Sequence, residues 1–127
     1  MTKIFKVMVK SYGYALRGVV EGMKERNMKV HIFAAVVAVA LSIFFKISTV
    51  EWLVVILVIF LMFTAETFNT AIESVCNENR DTLGASYEAT AKARDVSAGA
   101  VLLMSIGAVI VGGIIFVPKI ITFLSSI

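Results

Sequence analysis

The sequence predicts an all-α integral membrane protein: an amphipathic N-terminal surface helix followed by three transmembrane helices. Three observations predict it. Of the 127 residues, 59% are hydrophobic and the mean hydropathy is +0.92, whereas soluble domains carry roughly 45–50% apolar residues. The excess is gathered in blocks, as in membrane spans, rather than spread as in an oversized core. The first 28 residues differ, with apolar side chains recurring at three- and four-residue steps.

The surface helix is expected over residues 1–28. Ile4, Phe5, Met8, Tyr12, Ala15, Leu16, Val19 and Met23 share one face, and Lys3, Lys6, Lys10, Arg17 and Lys24 lie largely off it. Such a helix lies in the interface with its lysines reaching lipid phosphates. Gly13, Gly18 and Gly22 weaken it in isolation and permit close approach of a second helix or a ligand. The segment lacks the compact apolar region and cleavage site of a signal peptide.

The first span covers 30–46, and Lys46 and Glu51 bracket a short loop. The second covers 51–76: Trp52 to Ala65 is almost purely apolar, and a polar extension continues the helix to Cys76. Residues 77–94 are polar and read as a cytoplasmic loop broken at Gly84. The third span covers 96–118, where Pro118 marks an end or a kink. A bilayer core takes about 20 helical residues. The third block meets this alone, the second with part of its polar extension, and the first only with flanking polar residues.

The length allows one domain, 1–127. A single copy has little room for an enclosed pocket, so a homo-oligomer is expected. Lys3, Lys6, Lys10, Arg17, Lys24, Arg26 and Lys29 precede the first span, and Arg80, Lys92 and Arg94 lie between the second and third. The other side carries Lys46 and Lys119. This bias puts the N-terminus in the cytoplasm and the C-terminus outside the cell membrane. The net charge of +3 reflects these basic flanks rather than a nucleic-acid footprint. One cysteine, Cys76, rules out an intrachain disulfide, and one histidine, His31, rules out a His-based metal cage within one chain. No GxxxxGK[ST] loop and no soluble-kinase catalytic loop is present.

Chemistry is suggested by a polar stripe on the second span. Glu66, Asn69 and Glu73 fall at i, i+3 and i+7, on one side of the helix. Carboxylates on membrane helices are expensive and face protein, water or ligand. Glu25 and Glu73 both sit near the cytoplasmic boundary, and two carboxylates with phosphate oxygens make a magnesium site. Glu66, about 10 Å deeper, is placed to take a proton from a lipid hydroxyl, with Asn69 holding the hydroxyl or the transferring phosphate. Each residue also has a plainer reading. Glu66 and Asn69 fit interhelical glue, Glu73 a solvated helix end, and Glu25 a wet charge run. His31 fits a packed interfacial histidine, Lys92 and Arg94 fit the positive-inside bias, and the glycines from Gly99 to Gly113 fit helix packing. A transporter or channel would want polar residues through the depth of several spans, whereas here the acids collect at one side.

The run Glu66-Thr-Phe-Asn69-Thr-Ala-Ile-Glu73, followed by Ala93-Arg94-Asp95-Val-Ser-Ala-Gly-Ala-Val-Leu102, resembles the prokaryotic diacylglycerol kinase family. That family includes the undecaprenol kinases of Gram-positive bacteria. Glu25-Arg26-Asn27-Met28-Lys29-Val30-His31 is similar to the E-R-N-x-[RK]-x-H of the undecaprenol branch. The resemblance implies a homotrimeric membrane lipid kinase using ATP and Mg2+ at the membrane–cytoplasm boundary. By it, Glu66 is the catalytic base and Asn69 an active-site amide. Glu25 and Glu73 hold the magnesium, Arg94 and Asp95 contact the nucleotide, and Tyr14 lies near the nucleotide. It implies undecaprenol as acceptor ahead of diacylglycerol, with a degenerate non-catalytic relative as the remaining reading. Two positions depart from the family pattern: Arg94 stands where lysine is usual, and Asn77 where aspartate is frequent, which removes a negative charge near the expected phosphates. The loop from Glu78 to Thr90 also lacks the usual Glu-Tyr-His segment, with Ser86-Tyr87-Glu88 nearest to it.

Overall fold

The structure, a computed structural model describing residues 3–127, is all helical. Four helices follow one another: α1 (Lys3–Lys24), α2 (Arg26–Phe44), α3 (Thr49–Leu83) and α4 (Tyr87–Leu124). Three of them, α2, α3 and α4, are long and apolar enough to cross a membrane. Of the surface helix expected over 1–28, Met1 and Thr2 lie outside the described residues. The rest is shorter than expected, because Glu25 adopts an extended conformation (φ −62°, ψ 146°) and separates α1 from α2.

Local chemistry explains each turn. After α2, Lys46 takes a positive φ of 48°. Ser48 then opens α3 with a reciprocal cap: its hydroxyl accepts from the Glu51 amide at 3.3 Å, and the Glu51 carboxylate accepts from the Ser48 amide at 2.7 Å. Gly84 closes α3 in the left-handed region at φ 68°, a conformation glycine adopts without a Cβ penalty. Ser86 caps α4, its hydroxyl accepting from the Ala89 amide at 3.2 Å.

The loop expected over 77–94 is mostly helix. α3 runs on to Leu83 and α4 begins at Tyr87, so 84–86 alone separate them. Small and polar side chains make this possible, with Cys76 and Asn79 of α3 facing Ala89, Thr90 and Ala93 of α4. Pro118 does not end α4, which continues to Leu124. In lipid a helix satisfies its backbone hydrogen bonds within the segment, and a proline is tolerated there because neighbouring groups and local adjustments take up the freed carbonyl. At 1.5 Å per residue α3 and α4 are about 53 and 57 Å long, against about 30 Å of hydrocarbon.

α3 and α4 form the main pairing, and α2 packs on α3. The core sits at the end away from Gly84: Ile47, Val55, Ile115 and Phe116 are buried against Phe45 and Trp52. Phe44, Phe45 and Phe123 pack edge-to-face with centroids 5.0–6.4 Å apart. The Lys119 ammonium donates to Glu51 at 2.5 Å, tying α4 to the α3 cap. Along the spans most large apolar side chains are exposed. α1 lies against α2 and α3, and Gly22 is its contact with Thr67, where a Cβ would sit 3.5 Å from Oγ1. Gly13 and Gly18 face open space.

Candidate active site

The site is built on α3 where its apolar run ends. Glu66 is 2% exposed and Asn69 4% exposed, on the same face of the helix. Burial of a carboxylate this complete requires partners. His31 of α2 supplies one, its Nε2 lying 3.8 Å from Glu66 Oε2. The Asn27 side chain lies near the same carboxylate, and the carboxylates of Glu73 and Glu25 are within its electrostatic reach.

Asn69 links two helices. Its Nδ2 donates to Glu73 Oε1 at 3.1 Å, and its Oδ1 accepts from the Ser97 hydroxyl of α4 at 2.7 Å. In this orientation the amide N–H faces a carboxylate oxygen, which accepts, and the amide oxygen faces a hydroxyl, which donates. Ser97 Oγ also lies 2.9 Å from the Arg94 carbonyl, a competing acceptor for its single proton. No buried side-chain N or O among the described residues lacks a partner.

The remaining sequence-predicted residues are spread more widely. Glu25 is exposed in the α1–α2 break. Tyr14 is exposed on α1, with Lys10 Nζ 5.8 Å and the Arg17 guanidinium 5.2 Å from its ring centroid. Arg94 reaches back across the hairpin to Asn77, and Asp95 is exposed and forms no ion pair among the described residues. Thus α2, α3 and α4 bring Glu66, Asn69 and Glu73 together with His31 and Ser97, while Tyr14 and Asp95 form no hydrogen bond or ion pair with them. Sequence reasoning does not single out Ser97 or Asn27 as site residues. Ser97 stands 28 positions from Asn69, and only the helix pairing reveals it. His31, expected as a packing residue, gains a place in the site by its distance to Glu66.

No group of three or more His, Cys, Asp or Glu gathers to hold a metal among the described residues. The donor chemistry nevertheless suits magnesium, which takes oxygen ligands and binds through one or two carboxylates plus phosphates and water. Asn69 occupies Oε1 of Glu73 and leaves the second oxygen for such a role. Away from the carboxylates, a cavity of about 260 Å³ runs between α2, α3 and α4 from His31 to Phe116. His31 and Ser105 are its polar lining and the rest is apolar.

Residues 13–116 match the sequence profile of the prokaryotic diacylglycerol kinase family. The chain is similar to a diacylglycerol kinase of Synechocystis sp., 36% identical over 116 residues, which are 90% of this chain and 65% of that protein. It is equally similar to an undecaprenol kinase of Bacillus subtilis, 36% identical over 112 residues, 87% of this chain and 88% of that one. The two identities are equal, so overall similarity does not separate the two lipid specificities.

Proposed function

Because the chain belongs to the prokaryotic diacylglycerol kinase family, a family of lipid kinases, we propose that it transfers the γ-phosphate of ATP to the hydroxyl of a membrane lipid, with undecaprenol as the preferred acceptor. The observation that carries the reading is the buried Glu66 carboxylate, set beside His31, which lines an apolar cavity, and on the same helix face as Asn69, which Ser97 ties to α4.

Glu66 accepts the proton of the lipid hydroxyl as its oxygen attacks the γ-phosphorus. The new O–P bond forms as the bond from that phosphorus to the β–γ bridging oxygen breaks, and ADP leaves. Asn69 holds the hydroxyl or the transferring group in line. Glu73 and Glu25 are the carboxylates that would hold magnesium, which would supply charge neutralisation on the ATP phosphates. Arg94 and Asp95 face the nucleotide, and Tyr14 of the surface helix lies near it. Phosphoryl transfer asks mainly for such positioning and charge neutralisation.

Two features favour undecaprenol over diacylglycerol. Asn27 and His31, from the Glu25–His31 segment similar to the undecaprenol branch, stand beside Glu66. The cavity offers few polar partners, which suits a polyprenol with one hydroxyl better than a glycerol backbone with two esters. The chain is read as one membrane domain, 1–127, with the 84–86 turn and Glu25 at the cytoplasmic side and the C-terminus outside. The exposed apolar faces of the spans suit packing as a homotrimer in the cell membrane.

The test is transfer from labelled ATP with magnesium by the purified protein in lipid, with undecaprenol and diacylglycerol offered separately. Undecaprenyl phosphate as the main product, abolished in Glu66→Gln, supports the proposal. Dominant phosphatidic acid moves the acceptor to diacylglycerol. No transfer to either by folded protein removes the catalytic reading.

A further inference from the structure

Arg94 is a cation held by neutral groups. Its Nη2 donates to Oδ1 of Asn77 at 2.8 Å across the α3–α4 hairpin. Its Nε lies 3.4 Å from Thr90 Oγ1, and its guanidinium carbon is 5.7 Å from the Tyr87 ring centroid. Among the described residues no carboxylate pairs with it. A guanidinium carries five N–H donors in a fixed fork, so these neighbours orient the group while leaving donors and the full charge unspent. The two positions that depart from the family pattern are therefore one hydrogen-bonded unit.

We infer that Asn77 is a positioning residue for nucleotide binding: it fixes the Arg94 guanidinium through an uncharged oxygen, so that the cation stays available to a polyphosphate. The inference rests on the nucleotide role given to Arg94 above. A carboxamide oxygen accepts from the guanidinium in the geometry of a carboxylate oxygen but contributes no charge. A carboxylate in its place would form an ion pair, shorter and stronger than the neutral bond, and would cancel the charge an anionic ligand seeks. The turn makes the unit rigid: Gly84 and Ser86 close the hairpin, and Asn77 and Arg94 face each other from two continuous helices.

The test is equilibrium binding of ATP with magnesium to the full chain in lipid nanodiscs, beside steady-state kinetics. Asn77→Asp should raise the Kd and the KM for ATP together by roughly tenfold, the size of one charge-assisted hydrogen bond. Its kcat should change by less than about twofold, since the interaction serves binding equally in ground and transition states. Asn77→Ala keeps the free charge and gives up only orientation, so its Kd should rise about two- to threefold. In an Arg94→Ala background, Asn77→Asp should cost clearly less than it does beside Arg94, only the direct repulsion of the phosphates remaining. Unchanged ATP affinity in Asn77→Asp overturns the inference, as does a penalty that is equally large without Arg94, or an Asn77→Ala defect as large as that of Arg94→Ala. Wild-type protein that binds no ATP overturns the nucleotide reading itself, and the inference with it.

Discussion

Asn69 must satisfy an acceptor and a donor at once, and a single hydroxyl on α4 decides whether it can. With Ser97 donating, the amide N–H is free to face Glu73. Without it, the amide can rotate and the hydrogen bond from Asn69 to Glu73 loosens. Ser97→Ala is therefore expected to lower kcat about fivefold, the order of one hydrogen bond, with KM for ATP little changed. Ser97→Thr keeps the hydroxyl and should restore much of the rate, whereas equal defects in both variants would mean packing alone. Glu66→Gln is nearly isosteric and should keep the fold while lowering kcat by about 10²–10⁴, the range a general base contributes. At this scale the sequence is legible within an element and opaque between elements. Glu66, Asn69 and Glu73 could be placed on one face because helical spacing fixes it. Ser97, and the pairing of Asn77 with Arg94 across 17 positions, depend on how α3 meets α4, which no local pattern encodes.

The helices themselves show a parallel division. The apolar runs of α2, α3 and α4 announce themselves, and so does Gly84 as a break. The polar stretch on either side of Gly84 does not, because its helices are held by each other and by caps rather than by an apolar stripe. Gly84→Val should destabilise this hairpin, since a β-branched residue at φ 68° is a steric outlier costing about 1–2 kcal/mol. A lowered unfolding temperature with greater protease sensitivity near 84–86 is the expected readout. The opposite end of the bundle offers a contrast. Glu51 serves both the Ser48 cap and Lys119, yet lies about 22 Å along α3 from Glu66. Glu51→Ala is expected to lower thermal stability more than Lys119→Met does, with ATP affinity preserved in both. Failure of nucleotide binding in either variant would show that the outer end communicates with the site.

For the whole molecule, the mismatch between helix length and bilayer thickness has the widest effect. Residues near Glu66 sit where the apolar run of α3 gives out, the depth at which the proposed acceptor hydroxyl would meet a nucleotide arriving from water. The exposed spans lead to an expected homotrimer, checked by native mass spectrometry from nanodiscs; a monomer with full activity would confine each site to one chain. Composition made the membrane class legible, because 59% hydrophobic residues in blocks admit few other folds. The shape of the site was less so, since it forms only where three helices converge. The brevity of the 84–86 turn has a kinetic consequence. Enzymes that transfer phosphate in water commonly close a lid over their substrates, but here the hairpin bearing Asn77 and Arg94 has no long loop to swing. Turnover should accordingly track lateral traffic of the acceptor, slowing in gel-phase bilayers and responding little to viscogens in the surrounding water.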